Sequence, residues 1–256
     1  MSQNILDHPE ILRVVFHPRS ERGYPRAINP VSVPVEPGVN IGGRLYPACR
    51  ESPAILYFHG NGEIAADYDD LAPLYNQMDI TLLVMDYRGY GTSDGSPTAT
   101  NLLADARMIY NQVNHVFAEN DMQPARLYVM GRSLGSAAAI EIAHQTGEKL
   151  AGLIVESGFA NTFDLLATLG VRVQVAGAEQ DQFSNLTKIE RVTTRTLIIH
   201  GEADFLIPLS EGRALYEHSA ARDKRLVLIP NAGHNDLMMV GMTEYFGAIR
   251  EFVVAL

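Results

Sequence analysis

From Pro53 to the C-terminus the chain alternates short apolar runs with longer segments of helical periodicity, and this alternation constrains its fold most. The runs are Ala54–Phe58, Thr81–Met85, Arg126–Met130, Gly152–Val155, Thr196–Ile199 and Arg225–Ile229. Each is too short for a helix and lacks the polar alternation of a half-exposed strand, as expected of parallel strands covered on both faces. Among the intervening segments Thr100–Phe117 is the clearest helix, with Leu102, Leu103, Ala106, Ile109, Tyr110, Val113 and Phe117 on one stripe. Strand–helix alternation of this kind predicts a mostly parallel, doubly wound α/β sheet.

The first fifty residues differ. "VSVPVEPGVNIGGRLYPA" reads as two strands around a turn at Glu36-Pro37-Gly38. Pro25, Pro30, Pro34 and Pro37 suit edge strands, because proline cannot donate to a ladder. An antiparallel addition to one side of the sheet is therefore expected. Ala160–Arg195 breaks the later rhythm. It follows a strand end and holds one short helical pattern, "NTFDLLATLG", so it is read as a small lid. No linker, repeat or low-complexity tract divides the chain, and residues 1–256 are read as a single domain.

The balance of 20 basic and 30 acidic residues, a formal net charge of -10, argues against nucleic acid as a partner. The start, "MSQNILDHPE", has neither the basic nor the apolar region of a signal peptide, and no apolar run has the length of a membrane span. The expected location is cytoplasmic. The lone Cys49 lies in a turn, "YPACRES", with no partner for an internal disulfide. There is no H-E-x-x-H or paired Cys/His set, so no metal is expected. "RGYGTSDG" does not keep dinucleotide-binding spacing, so no cofactor is expected.

The stretch "VMGRSLGSAAA" sets Ser133 between Gly131 and Gly135, after an apolar run and before a helix rich in small residues. In a G-x-S-x-G nucleophile elbow the serine occupies a strained strand-to-helix turn, and its neighbours must be small for strand and helix to close on each other. A serine hydroxyl needs a base, an acid to orient that base, and donors for the oxyanion. These should follow other strands, at the sheet edge where ligands bind. His234, in "LIPNAGHNDLMM" after the last strand, is the expected base. His59 and His200 also end strands, but each precedes a glycine and is read as packing in a turn. Asp204, in "IIHGEADFLIPL", is favoured as the acid over Glu156, because the chain order nucleophile, acid, base then fits the nucleophile-elbow enzymes. Asp86, before "YRGYG", is read as structural.

The expected oxyanion donors are the backbone N–H of Leu134, at the helix N-terminus, and that of Asn61 in "YFHGNGE", where Gly60 and Gly62 let the backbone approach a ligand. Met238, Met239 and Met242, close to His234, are read as helix core or as the lining of an acyl pocket.

With these residues placed, the chain resembles the α/β-hydrolases, and among them the BEM46-like branch. The motifs that carry the resemblance are "LYFHGNGE", "MDYRGYGTSDGSPT", "VMGRSLGS", "LIVESGFAN", "IIHGEADFLIP" and "NAGHND", spread from Pro53 to the C-terminus. The resemblance implies an α/β-hydrolase fold and hydrolysis of an ester, thioester or amide through an acyl-enzyme, with Ser133, Asp204 and His234 in the roles argued above. A serine hydrolase acting on a small acyl substrate, as carboxylesterase or thioesterase, is the expected function. An amidase or peptidase, or a non-catalytic binding protein of the same fold, are the alternatives.

Overall fold

The computed structural model describes residues 4–21, 29–171, 173 and 181–254. Among them an eight-stranded sheet runs in the order β1-β2-β4-β3-β5-β6-β7-β8. Its strands are β1 (Pro30–Glu36), β2 (Val39–Tyr46), β3 (Ala54–Phe58), β4 (Thr81–Met85), β5 (Leu127–Arg132), β6 (Gly152–Glu156), β7 (Thr196–Gly201) and β8 (Lys224–Ile229). β3 to β8 are parallel. β1 and β2 form an antiparallel hairpin that joins through β2–β4 pairing. β1 is an edge strand, so Pro30 and Pro34 are tolerated there, while Val31, Val33 and Val35 alternate inward. Pro25 lies outside the described residues.

The apolar runs become strands because helices cover both faces. Ala54, Leu56 and Phe58 belong to one core cluster, and Ile55 and Tyr57 to the other, as strand alternation requires. The helix Ala99–Glu119 starts at Thr98, whose hydroxyl accepts from the Asn101 N–H at 3.0 Å, and it buries Leu102, Leu103, Ala106, Ile109, Val113 and Phe117. Several elements run a little past their sequence limits. β5 continues through Gly131 and Arg132, where Gly131 pairs with Phe58 and Arg132 with Glu156. Ladder pairing rather than apolarity sets that end.

The strand order reverses direction at β3, between β4 and β5. A doubly wound sheet opens a crevice at such a point, outside the carboxyl ends of the strands. The loop carrying Asn61 leaves β3, and the turn carrying Ser133 leaves β5, both at this place.

Within Ala160–Arg195 the described residues form two short helices, Thr162–Thr168 and Asn185–Ile189; 172 and 174–180 of the lid candidate lie outside the described residues. The second helix is pinned beneath. Asn185 Nδ2 donates to Phe159 O at 2.9 Å, and Lys188 pairs at 2.7 Å with Glu141 of the buried helix Gly135–Thr146. No helix among the described residues is long and apolar enough to cross a membrane.

Candidate active site

The turn after β5 explains the glycines. Ser133 has φ +51, in the left-handed region that costs an ordinary residue roughly 1–2 kcal/mol. The strain is held in place from both sides. Ser133 N–H donates to Glu156 O at 2.9 Å, and its carbonyl accepts from Ser136 N–H at 3.0 Å and Ser136 Oγ at 2.6 Å. A Cβ on Gly131 would overlap the Gly135 carbonyl, and one on Gly135 would overlap the Phe58 carbonyl. Those obstacles are backbone, which cannot rotate away. Gly135→Ala should therefore cost about 3 kcal/mol or more, the upper end of overpacking. Thermal unfolding should show a Tm drop of roughly 6–12 °C.

Ser133, Asp204 and His234 are brought together from three strand ends. Ser133 Oγ lies 3.0 Å from His234 Nε2, and His234 Nδ1 lies 2.8 Å from Asp204 Oδ2. All three residues are less than a tenth exposed, at 8%, 9% and 5% for Ser133, His234 and Asp204. The other carboxylate oxygen, Asp204 Oδ1, accepts from the Leu206 and Ile207 N–H groups at 3.0 and 2.8 Å. Burial pushes the Asp204 pKa up, but the hydrogen bond and charge of His234 and the backbone N–H of Ile207 outweigh it, and the pKa ends below its ordinary value.

Glu156, the rival acid, points elsewhere. It is buried beside Tyr245 Oη at 2.7 Å, Tyr57 Oη at 3.2 Å and Arg132 Nε at 3.2 Å. Burial raises its pKa, with Arg132 acting in opposition. His59 packs in its turn, with Nδ1 2.8 Å from Gly60 O. His200 does the same with Nε2 2.8 Å from Ile207 O, and burial lowers its pKa. Asp86 accepts from Ala65 N–H at 2.8 Å.

Leu134 opens the helix Gly135–Thr146, where the first N–H groups have no intrahelical acceptor. The Asn61 side chain is engaged, since its Oδ1 accepts from Tyr90 Oη at 2.7 Å and from His17 N–H at 2.9 Å. Its loop is closed by Glu63 Oε2, which accepts from Gly60 N–H at 2.9 Å. Met238 packs partly against the core, whereas Met239 and Met242 are exposed, at 82% and 53%, so the helix-core reading fails for those two. Cys49 is exposed and unpaired.

Sequence reasoning missed Arg132 and Glu63. Both are charged, and a charged residue in an unaligned sequence reads as surface. Yet Arg132 is 7% exposed and ion-paired with Glu63 and Glu156. Among the described residues no group of His, Cys, Asp and Glu has the arrangement of a metal site.

Comparison with known proteins places the chain in a family. The family described as serine aminopeptidase, S33, matches residues 50–173 and 165–238. An uncharacterised protein of Mycobacterium tuberculosis is 30% identical over 225 residues, 87% of this chain and 78% of that one. Alpha/beta hydrolase domain-containing protein 17B of Homo sapiens is 29% identical over 207 residues, 78% of this chain and 65% of that one. Among solved structures, Est1E from Butyrivibrio proteoclasticus with ferulic acid bound superposes with a TM-score of 0.72 at 18% identity, covering 88% of this chain and 100% of that one. At that identity the likeness shows the fold alone. The chain is a hydrolase of the α/β-hydrolase superfamily and belongs to the serine aminopeptidase, S33, family within it.

Proposed function

We propose that this protein is a serine hydrolase that cleaves small carboxylic esters or thioesters through an acyl-enzyme. The observation that carries the reading is the hydrogen-bonded chain from Ser133 Oγ through His234 to Asp204, on a serine held at positive φ. In the first step Ser133 Oγ forms a bond to the acyl carbon while its proton passes to His234 Nε2. The oxyanion is received by the Leu134 and Asn61 N–H groups. When the tetrahedral intermediate collapses, His234 returns the proton to the leaving oxygen or sulfur. Water then repeats the sequence on the acyl-serine, releasing the acid and restoring Ser133.

Beside the acid loop lies a cavity of about 180 Å³, lined by Phe159, Leu165, Leu206, Ile207 and Pro208 and by the polar Asp164, Thr168, Ser210 and Glu211. Short and medium acyl chains should therefore be hydrolysed better than long ones. The segment Ala160–Arg195, which supplies part of that wall, is proposed as the lid.

A panel of p-nitrophenyl esters from about two to sixteen carbons, each assayed from about pH 5 to 9, tests the substrate and the standing of Asp204 as a charged acid. Asp204 has a folded-state pKa below its ordinary value. Its stabilising charge is thus fully present above about pH 3.9 and lost only as pH falls through the lower folded value. Across the assay window it stays ionised. A loss of kcat/KM inside this window is therefore not protonation of Asp204. Best turnover of the longest chain would refute the small pocket. The description of the matching family as an aminopeptidase favours a second reading, an amidase or peptidase. Turnover of aminoacyl anilides in preference to every ester of the panel would establish it.

A further inference from the structure

Arg132 immediately precedes the nucleophile, and its buried guanidinium reaches three separate segments of the chain. Nε donates to Glu156 Oε1 at 3.2 Å, at the end of β6. Nη1 donates to Glu63 Oε1, in the loop after β3. Nη2 donates to the backbone carbonyl of His234 and to Asn235 Oδ1, both at 2.9 Å, in the loop after β8. The link through Glu63 goes one step further, since its second oxygen accepts from the Gly60 N–H at 2.9 Å and from Tyr68 Oη at 2.8 Å. Burial works against the charge on Arg132, but Glu63 and Glu156 outweigh it, and the arginine pKa is raised. Glu63 is held below the usual carboxylate range in spite of its burial, chiefly by Arg132. The group is therefore a permanent cation.

Arg44 makes an instructive contrast. It lies on β2, is 1% exposed, and pairs with Glu21 and Asp69. That cluster ties β2 to neighbouring segments and grips neither Ser133, His234 nor Asp204. Arg132 is as well paired, but its fork grips the backbone of the base, the side chain after the base, and the carboxylate that orients the amide next to Asn61. A planar fork with donors in fixed directions can serve such divergent acceptors at once, whereas the single ammonium of a lysine cannot.

We propose that Arg132 is a positioning residue for acyl transfer: it locks the His234 backbone and the Gly60–Asn61 loop to the strand that carries Ser133, so that base, nucleophile and oxyanion donor form one rigid unit. This rests on the serine-hydrolase reading above. Its physical logic is that catalysis by proximity fails when reacting groups drift by about an ångström, a displacement that can cost ~10²-fold in rate. Arg132 does not line the cavity beside the acid loop, so binding should be spared.

The test uses the full chain with Arg132→Lys, Glu63→Gln, Asn235→Ala and, as comparator, Arg44→Lys. Each is measured for Tm, for kcat and KM on a short p-nitrophenyl ester, and for the rate at which a fluorophosphonate labels Ser133. Arg132→Lys should lower kcat by about 10²-fold with KM little changed, and slow labelling in proportion. Glu63→Gln takes the charge from the Nη1 arm and Asn235→Ala takes one of the two acceptors from the Nη2 arm, so each should give a smaller loss with the same split. The double variant Arg132→Lys/Glu63→Gln should be no slower than Arg132→Lys alone, because both remove the same link. Arg44→Lys should lower Tm and leave kcat at the wild-type value. If Arg132→Lys does not fold, the two one-arm variants decide. Folded Glu63→Gln and Asn235→Ala proteins with wild-type kcat and labelling rates overturn the proposal, and so does a loss of kcat in Arg44→Lys matching that in Arg132→Lys. If the wild type is labelled at Ser133 and the variants are unaffected, positioning alone falls. A wild type that the probe does not label overturns the serine-hydrolase reading and this inference with it.

Discussion

Ser133→Ala should abolish ester hydrolysis, lowering kcat by at least ~10³-fold, while the protein stays folded. The substitution removes the oxygen that would carry the acyl group and leaves His234 with no proton to take. It leaves the structure around it intact. The turn is held by backbone contacts, from Ser133 N–H to Glu156 O and from Ser136 to Ser133 O, and the alanine keeps them all. What is lost is one hydrogen bond to His234, worth about 1 kcal/mol, so Tm should move by no more than roughly 4 °C. A fluorophosphonate should label the wild type and not the variant. Persistent labelling of Ser133→Ala at another residue would place the nucleophile elsewhere, and undiminished hydrolysis would end the reading altogether.

The second large effect concerns the acid, where the hydrogen bonds decide the direction. In Asp204→Asn the side-chain oxygen will take the place of Oδ1, because the Leu206 and Ile207 N–H groups at 3.0 and 2.8 Å need an acceptor. The amide nitrogen then faces His234 Nδ1, where Oδ2 now lies at 2.8 Å. A donor there makes Nδ1 an acceptor and puts the ring proton on Nε2, the nitrogen 3.0 Å from Ser133 Oγ. Such a ring cannot accept the serine proton. Tautomer reversal of this kind costs about 10⁴-fold in kcat in a serine protease triad, and a similar loss is expected here. Glu156→Gln should cost at most about tenfold. Glu156 accepts from Tyr245 and Tyr57 and pairs with Arg132 rather than with His234, so an amide of the same shape leaves the Ser133–His234–Asp204 hydrogen bonds in place. Paired kcat measurements on the two variants check this. A larger loss in Glu156→Gln would move the acid to the end of β6.

The different legibility of these residues has a physical origin. The parallel strands could be read because residues covered on both faces must be apolar throughout, and Ala54–Phe58 and Thr81–Met85 are buried along their whole length. The hairpin before them could be read because proline is excluded from central ladders, and Pro30 and Pro34 lie in the edge strand β1. The elbow could be read because its requirement is local. Gly131 and Gly135 face backbone that leaves no room for a Cβ, a demand that any sequence making this turn must display.

Other features had no local signature. Glu156 and Asp204 both stand at strand ends at the same edge of the sheet, and residue type cannot say which carboxylate meets His234. That was decided by where each side chain finds donors: two N–H groups and the imidazole for Asp204, tyrosines and Arg132 for Glu156. Arg132 was the least legible of all. Its partners lie 69, 24 and 102 residues away in sequence, at Glu63, Glu156 and His234. By itself the sequence determined the layered sheet, the turn around Ser133 and the set of polar residues at the strand ends, because apolarity, glycine and chain order are properties of short stretches. Only the tertiary structure decided which of those residues touch and which charges are buried, because hydrogen-bond direction and desolvation arise when loops from distant parts of the chain converge on one edge.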